Sequence, residues 1–343
     1  LAKHSGNPGQ VTMRDVAKAA GVSRMTVSRA LRKDGSVSRE TRKHILKIVR
    51  EMNYVQDQLA ASLTTKKSGF VATLLPSLNN PHFALTVQAL TEELEEIGLQ
   101  ILLGHTAYSA QREEEILETM LRRRPEAIVL SYDGHTERTI HLMRDAAVPV
   151  IEIWETPDSP IEHTVGFSNF DAALQMTEQL IAKGYSRLAF LGEGRDDWTR
   201  GARRRSGFLK AMNSAGLSPH RMVRYGTPPL TIENGSEAVV RLLNDYPDTD
   251  CVFCVSDIAA FGAQNRLLAE GRKIPDEIAI AGFGNFEVSR FVSPSISTVI
   301  VDSLGIGRET GKLLRKLLVS KSVNVDHSEH VHVPIRVELR HSS

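Results

Sequence analysis

The stretch MRDVAKAAGVSRMTVSRAL, residues 13–31, holds two short helical patterns separated by one glycine. Thr12 stands where a side-chain oxygen can cap the first, whose apolar positions are Val16, Ala19 and Ala20. Gly21 ends that helix. Ser23 opens a second, with Val27, Ala30 and Leu31 on its inward stripe and Arg24, Met25, Ser28 and Arg29 outward. Two short helices joined by a tight glycine turn predict a helix-turn-helix. Its second helix is the groove reader, because the major groove of double-stranded DNA admits one helix and presents base edges to that helix's amino-terminal side chains. Arg24 and Arg29 suit guanine, and Met25 suits a thymine methyl. Thr12, Ser23, Thr26 and Ser28 are candidates for phosphate contacts that set register, with Arg14 and Lys18 beside them.

A third amphipathic helix is predicted over 39–52, capped by Ser38 and burying Thr41, Ile45, Ile48, Val49 and Met52. It closes a small core and completes a headpiece at 11–54. Residues 1–10, polar and glycine-containing, read as a disordered arm. Residues 55–68 are a linker, in which DQLAASL makes at most two turns of helix, too short to be stable alone. Both a helix ordered only on DNA and a simple tether fit that piece.

Charge divides at the same place. Residues 1–68 carry 14 Lys and Arg against 5 Asp and Glu, a net +9, and the remainder carries 28 against 36, a net −8. The basic end attracts a polyanion, while the acidic remainder discourages nonspecific adhesion elsewhere. With 343 residues, 41% of them hydrophobic, the chain fills more than one core. Its 24 glycines, 14 prolines and 2 cysteines exclude collagen-like, disulfide-scaffold and wholly disordered classes. The start LAKHSGNPGQ has neither an apolar signal core nor a cleavage signature, so a cytoplasmic protein with no membrane partner is expected.

From Gly69 onward short apolar runs alternate with helical patterns. FVATLLP, LQILLGH, EAIVLSY, PVIEIW and HTVGFS read as strands, followed by SRLAFLG, a short strand near MVRYG, TDCVFCVS and EIAIAGFG. Such alternation predicts an α/β core with parallel sheets, and its length favours two lobes, approximately 69–166 plus 299–328 and 167–298 plus 329–343. In lobes of this kind a ligand sits beyond the carboxyl ends of strands, where helix amino-termini point. That rule selects Asn80, His82, Phe83, Trp154, Glu155, Asn169, Arg200, Arg204, Asp257 and Asn285 as candidate effector-binding residues. Aromatic, amide, acidic and guanidinium groups converging on one cavity suit a small polar ligand. Trp154 also fits plain core, and Asp257 also fits a helix cap.

Catalytic machinery is not evident. The chain has no nucleophile elbow, no HExxH, no phosphate loop and no GxGxxG, so an enzyme is not expected, nor a cofactor or resident metal. Cys251 and Cys254 form half of a thiolate pattern without a second half and read as buried thiols. HSEHVH, residues 327–332, reads as a polar stretch leading to a late strand.

Together these residues resemble the LacI/GalR family of bacterial transcription regulators over nearly the whole chain. The resemblance is carried by MRDVAKAAGVSRMTVSRAL, by NYVQDQLAASL at the proper distance, and by SDIAAFGA, IPDEIAIAGFGN and SPSISTV in the body. It implies a DNA-binding headpiece, a hinge helix and a two-lobed core like periplasmic sugar-binding proteins, working as a homodimer on a roughly palindromic operator. It places Arg24, Met25 and Arg29 at the specificity positions, and Leu63 with Ala60 in the minor groove, where an apolar wedge opens a base step. Within the family, LLPSLNNPHFA, TVGFSNFDAA, YPDTDCVFCVSD and IAIAGFG are most similar to repressors of gluconate utilisation, which implies a sugar-acid effector. One departure stands out: many relatives carry an aspartate where Gly284 stands.

Overall fold

The computed structural model describes residues 11–31, 36–55, 68–131, 134–194, 199–319 and 328–343. The expected arm and the hinge residues Ala60 and Leu63 lie outside them. The chain divides into two compact units, Leu1–Ser68 and Gly69–Ser343.

In the first unit, α1 (Met13–Ala20), α2 (Arg24–Leu31) and α3 (Arg39–Glu51) enclose Val16, Ala17, Ala20, Val27, Ala30, Ile45 and Ile48. Ala17 takes the buried place expected of Ala19, which is exposed, because 16, 17 and 20 share one face of the helix. Thr41, Val49 and Met52 are half-buried at the margin of this core. Gly21 adopts φ 64° and ends α1, its N–H returning to the carbonyls of Ala17 and Lys18.

The second unit is built of two lobes. The first contains β1 (Phe70–Leu75), α4 (Pro81–Glu95), β2 (Gln100–His105), α5 (Ala110–Leu121), β3 (Ile128–Ser131), α6 (Glu137–Asp145), β4 (Val150–Ile153) and β5 (His163–Gly166). The second contains α7 (Asn169–Ala182), β6 (Leu188–Gly192), α8 (Arg200–Ser214), β7 (Met222–Arg224), α9 (Ile232–Asp245), β8 (Cys251–Cys254), α10 (Asp257–Ala269), β9 (Ala279–Ala281), α11 (Glu287–Phe291) and β10 (Thr298–Val301). The chain then returns to the first lobe through α12 (Ser303–Val319), which packs along α4, and β11 (His330–His332), and ends in the second with β12 (Ile335–Glu338).

The first sheet runs β11-β5-β4-β3-β1-β2 and the second β7-β6-β8-β9, with every pairing parallel. Parallel bridges Ala281–Ser297 and Gly284–Ile300 carry the second sheet on to β10, against which β12 lies antiparallel. The strands β3, β4, β5, β6, β8 and β9 are buried on both faces, as parallel strands covered by helices must be. One expectation is corrected: HVH is itself a strand, and through its pairing with β5 it belongs to the first lobe and not the second. Cys251 and Cys254 are free thiols inside β8, and burial pushes both well above the usual thiol range.

Six of the helices that follow strands start on a polar cap. Asn80, Ser109, Thr136, Ser168, Thr199 and Ser256 each accept an N–H from the first turn that follows. Of these caps, Asn80, Thr199 and Ser256 stand around one cleft between the lobes. Behind that cleft His135 Nδ1 lies 2.5 Å from Glu113 Oε1, and its Nε2 lies 3.4 Å from Glu152 Oε1, all three side chains being buried. Burial alone would depress His135, but the hydrogen bond to Glu113 and then the nearby Glu152 carboxylate raise it to about 9, so a charged imidazole ties α5, β4 and the segment after β3.

Among the described residues no helix is long and apolar enough to cross a membrane.

Candidate functional site

Two surfaces carry the chemistry expected from the sequence, one in each unit. On the first, Ser23 Oγ accepts the N–H of Thr26 at 3.1 Å and lies 2.9 Å from its hydroxyl, which fixes the start of α2. Thr12 donates its N–H and hydroxyl to Asp15 at 2.9 and 2.6 Å, capping α1 and holding the Asp15 carboxyl below its usual range. Arg24, Met25 and Arg29 are exposed on α2, Met25 by 62%. One apolar side chain and two arginines thus share the outer face of this capped helix. Thr26 and Ser28 are half-buried on the same helix.

The second surface is the cleft between the lobes. Asn80, His82, Phe83, Tyr108, Trp154, Glu193, Thr199, Arg200, Arg204, Ser256, Phe283, Gly284 and Phe286 are among the residues around a cavity of about 90 Å³.

Arg204 is the best-fixed cation in the wall. Its Nε donates to Asn169 Oδ1 at 2.9 Å, its Nη1 donates to the Val255 carbonyl at 2.7 Å, and its guanidinium carbon lies 3.6 Å over the Phe283 ring. Burial, then the neighbouring Arg200, lowers it to about 10, which leaves it charged at neutral pH. Arg200 lies across the cleft: from the second lobe its Nη1 donates to Ser131 Oγ of β3 at 2.8 Å, and its guanidinium stands 5.0 Å from the Phe83 ring centre. Arg203 turns outward to Asp158 at 3.6 Å.

On the opposite wall, Asn80 caps α4 by accepting the His82 N–H at 3.0 Å. His82 Nδ1 lies 2.7 Å from Ser303 Oγ, and Phe286 stands edge-on to the imidazole at 4.3 Å. Burial, then Arg204, lowers His82 to about 4, so the ring is neutral. Its Nε2 is buried with no hydrogen-bond partner among the described residues, as is Nε1 of Trp154. Trp154, at φ 73°, is both core and wall: it rests on Phe83 and Phe167 while lining the cavity.

Four predicted residues stand behind the wall. Asn169 is fully buried and donates to the Trp154 carbonyl and Glu155 Oε2, each at 3.0 Å, while orienting Arg204. Glu155 also accepts the Thr156 N–H, and burial pushes its carboxyl up. Asp257 does not reach the cavity. Its Oδ1 accepts the Thr298 hydroxyl at 2.6 Å and its Oδ2 the Phe286 N–H at 2.7 Å, so the carboxylate clamps the wall from behind. Burial raises it to about 6. The cap that the sequence offered to Asp257 is made by Ser256, which accepts the Ala259 N–H. Asn285 turns away to accept from Arg340 at 2.6 Å.

Sequence reasoning missed Glu193, Tyr108, Thr199, Ser256, Phe283 and Phe286 in the wall. Glu193 directly follows β6, so the strand-end rule could have found it. Ser303, 221 positions from His82, carried no local signal. Gly284 has a clear role: at φ +123° a β-carbon would lie 2.7 Å from Phe286 and 2.9 Å from His82 Nε2, so these rings occupy the space a side chain would take.

A two-lobed core with a polar cavity, joined in one chain to a helix-turn-helix, defines a ligand-responsive regulator. The description "Periplasmic binding proteins and sugar binding domain of LacI family" matches residues 68–340, and "Bacterial regulatory proteins, lacI family" matches residues 12–57. The chain belongs to the LacI family. It is 34% identical to the HTH-type transcriptional regulator GntR of Escherichia coli K12 over 84% of this chain and 86% of that one. With the HTH-type transcriptional regulator IdnR of the same strain it shares 32% identity over 97% and 98%. A crystal structure of a LacI family transcriptional regulator from Silicibacter pomeroyi is 58% identical, with a TM-score of 0.77, covering 80% of this chain and 98% of that one. Among the described residues no group of three or more His, Cys, Asp or Glu side chains could hold a metal ion.

Proposed function

We propose that this chain is a sequence-specific DNA-binding repressor, controlled allosterically by a sugar acid, with gluconate the leading effector. The observation that carries the acid is Arg204, a charged guanidinium held in plane by Asn169, Val255 and Phe283 beside a second arginine in the same cavity. A planar donor fork in a water-poor wall recognises a carboxylate, and neutral groups such as His82, Asn80 and Ser256 serve hydroxyls. The resemblance to repressors of gluconate utilisation points the same way.

The working form is a homodimer on a palindromic double-stranded operator. Arg24, Met25 and Arg29 read bases, Thr12, Ser23, Thr26 and Ser28 set register on phosphates, and Leu63 with Ala60 enters the minor groove. β2 supports a self-association face: it is an edge strand, and Leu103 on it is 41% exposed. The effector acts by binding one arrangement of the lobes more tightly than the other, since equal affinity would shift nothing.

Isothermal titration of the full-length protein with D-gluconate tests this reading. Saturable binding near one site per chain is expected. Absence of binding by folded protein would remove gluconate and direct the search to keto-aldonates, phosphorylated acids and neutral sugars.

A further inference from the structure

The cavity read above as an acid site already contains an acid. Glu193 follows β6 directly, and its carboxyl group rests on the first turn of α8: a β-carbon built on Gly201 would stand 1.8 Å from Oε2 and 2.8 Å from Oε1. Only glycine leaves that place open. Gly201 is the second residue of a helix of 15, whose amino-terminus is partially positive, and Arg200 and Arg204 of the same helix line the same cavity. The buried Nε2 of His82 and Nε1 of Trp154, without partners among the described residues, lie in the same wall and mark it as one that takes a polar ligand.

We propose that Glu193 is an internal stand-in for the effector's acid group, which holds the head of α8 and its two arginines until an incoming carboxylate displaces it. This rests on the sugar-acid reading and adds to it the residue that decides which charge state of ligand is accepted. Two carboxylates cannot share these donors without strong repulsion, so binding either moves Glu193 away or protonates it. Burial already pushes the Glu193 carboxyl up, opposed by a hydrogen bond from its own backbone and then by Arg204, Arg200 and Arg205. Where Glu193 is protonated, binding of an acid takes up a proton, and affinity rises as pH falls. His82 and Tyr108 share the cavity, and Glu155 and Asp257 stand behind its wall. Because Asp257 titrates near 6, the diagnostic quantity is the difference between the wild type and Glu193→Gln.

The experiment is calorimetric titration of the full chain, wild type, Glu193→Gln and Gly201→Ala, with D-gluconate and with neutral D-glucitol at pH 5.5 and pH 8. Glu193→Gln is expected to bind gluconate about tenfold more tightly than wild type at pH 8, with the gap closing at pH 5.5 and no gain for glucitol. Gly201→Ala, which evicts the carboxyl but keeps it in the chain, should shift affinity in the same direction by less, and decides the matter if Glu193→Gln fails to fold. Weaker or unchanged gluconate binding at pH 8 with melting temperature preserved overturns the proposal and makes Glu193 an acceptor for ligand hydroxyls. If neither protein binds gluconate, the choice of effector falls separately, and the pair is titrated with hexuronates, keto-aldonates and acetate. A gain with any of these acids sustains the role of Glu193, and no gain with all of them overturns it.

Discussion

Arg200 Nη1 and Ser131 Oγ are 2.8 Å apart, one on the first turn of α8 in the second lobe and the other at the carboxyl end of β3 in the first. This bond joins the two lobes across the mouth of the cavity, and one of its partners is a cation of the ligand wall. The guanidinium that lines the ligand cavity thus also bonds to the other lobe. If the bond strengthens when Arg200 meets the ligand, Ser131→Ala is expected to weaken gluconate binding by about ten- to a hundredfold, the worth of one hydrogen bond to a charged group. Calorimetry checks this: unchanged affinity would mean that the bond contributes equally with and without ligand, and tighter binding that the ligand breaks it.

Arg204→Met keeps the stem and removes the fork. Gluconate affinity should fall by about two to three orders of magnitude, since truncating one partner of a buried charge pair costs about 2–5 kcal/mol. The same change leaves Asn169 Oδ1 and the Val255 carbonyl without their donor, so stability should fall by about 1–3 kcal/mol. Retained acid binding, with urea unfolding showing a folded protein, would place carboxylate recognition elsewhere.

Asp257 makes stability depend on pH. Its folded value near 6 lies above the ordinary carboxylate value of 3.8, so the folded state holds the proton more tightly. The stability contributed by the protonated form is present below about pH 4 and is lost as pH rises through about 6. Urea unfolding of wild type and Asp257→Asn across pH 4 to 7 should yield a difference curve that falls over this window and is flat above it. A difference that rises with pH would contradict the assignment.

Gly284→Ala forces a β-carbon into a backbone at φ +123° and against His82 and Phe286. A loss of about 1–3 kcal/mol is expected from strain and overpacking, together with weaker ligand binding. A stable variant with wild-type affinity would show that the two rings yield freely.

Arg29→Ala should relax preference at one operator position by about 1–3 kcal/mol and leave the other positions unchanged. Competition among single-base operator variants measures it. One uniform factor across all variants would make Arg29 a phosphate contact.

Much of this was legible before any coordinates. Thr12, Gly21 and Ser23 punctuate the headpiece because caps and left-handed turns are local, and their donors lie within a few residues. The strand ends that ring the cavity were legible for a similar reason, since apolar runs and capping residues alternate at short range. Asp257 and Asn285 were misplaced because the rule that selected them concerns backbone position. Their side chains follow partners 29, 41 and 55 residues away, at Phe286, Thr298 and Arg340, which turn both behind the wall. HVH was hidden because three residues with mostly exposed side chains carry no strand signal until β5 is beside them.

The sequence by itself determined the helix-turn-helix, the alternating α/β core, the division of charge and the candidacy of Arg200 and Arg204, because periodicity and capping record which side of each element is buried. Only the tertiary structure decided that Arg204 is held by Asn169 and Phe283, that His82 meets Ser303, and that Glu193 lies on Gly201. The direction of a polar side chain at a strand end is set by groups that distant segments bring to it, and no local pattern encodes those.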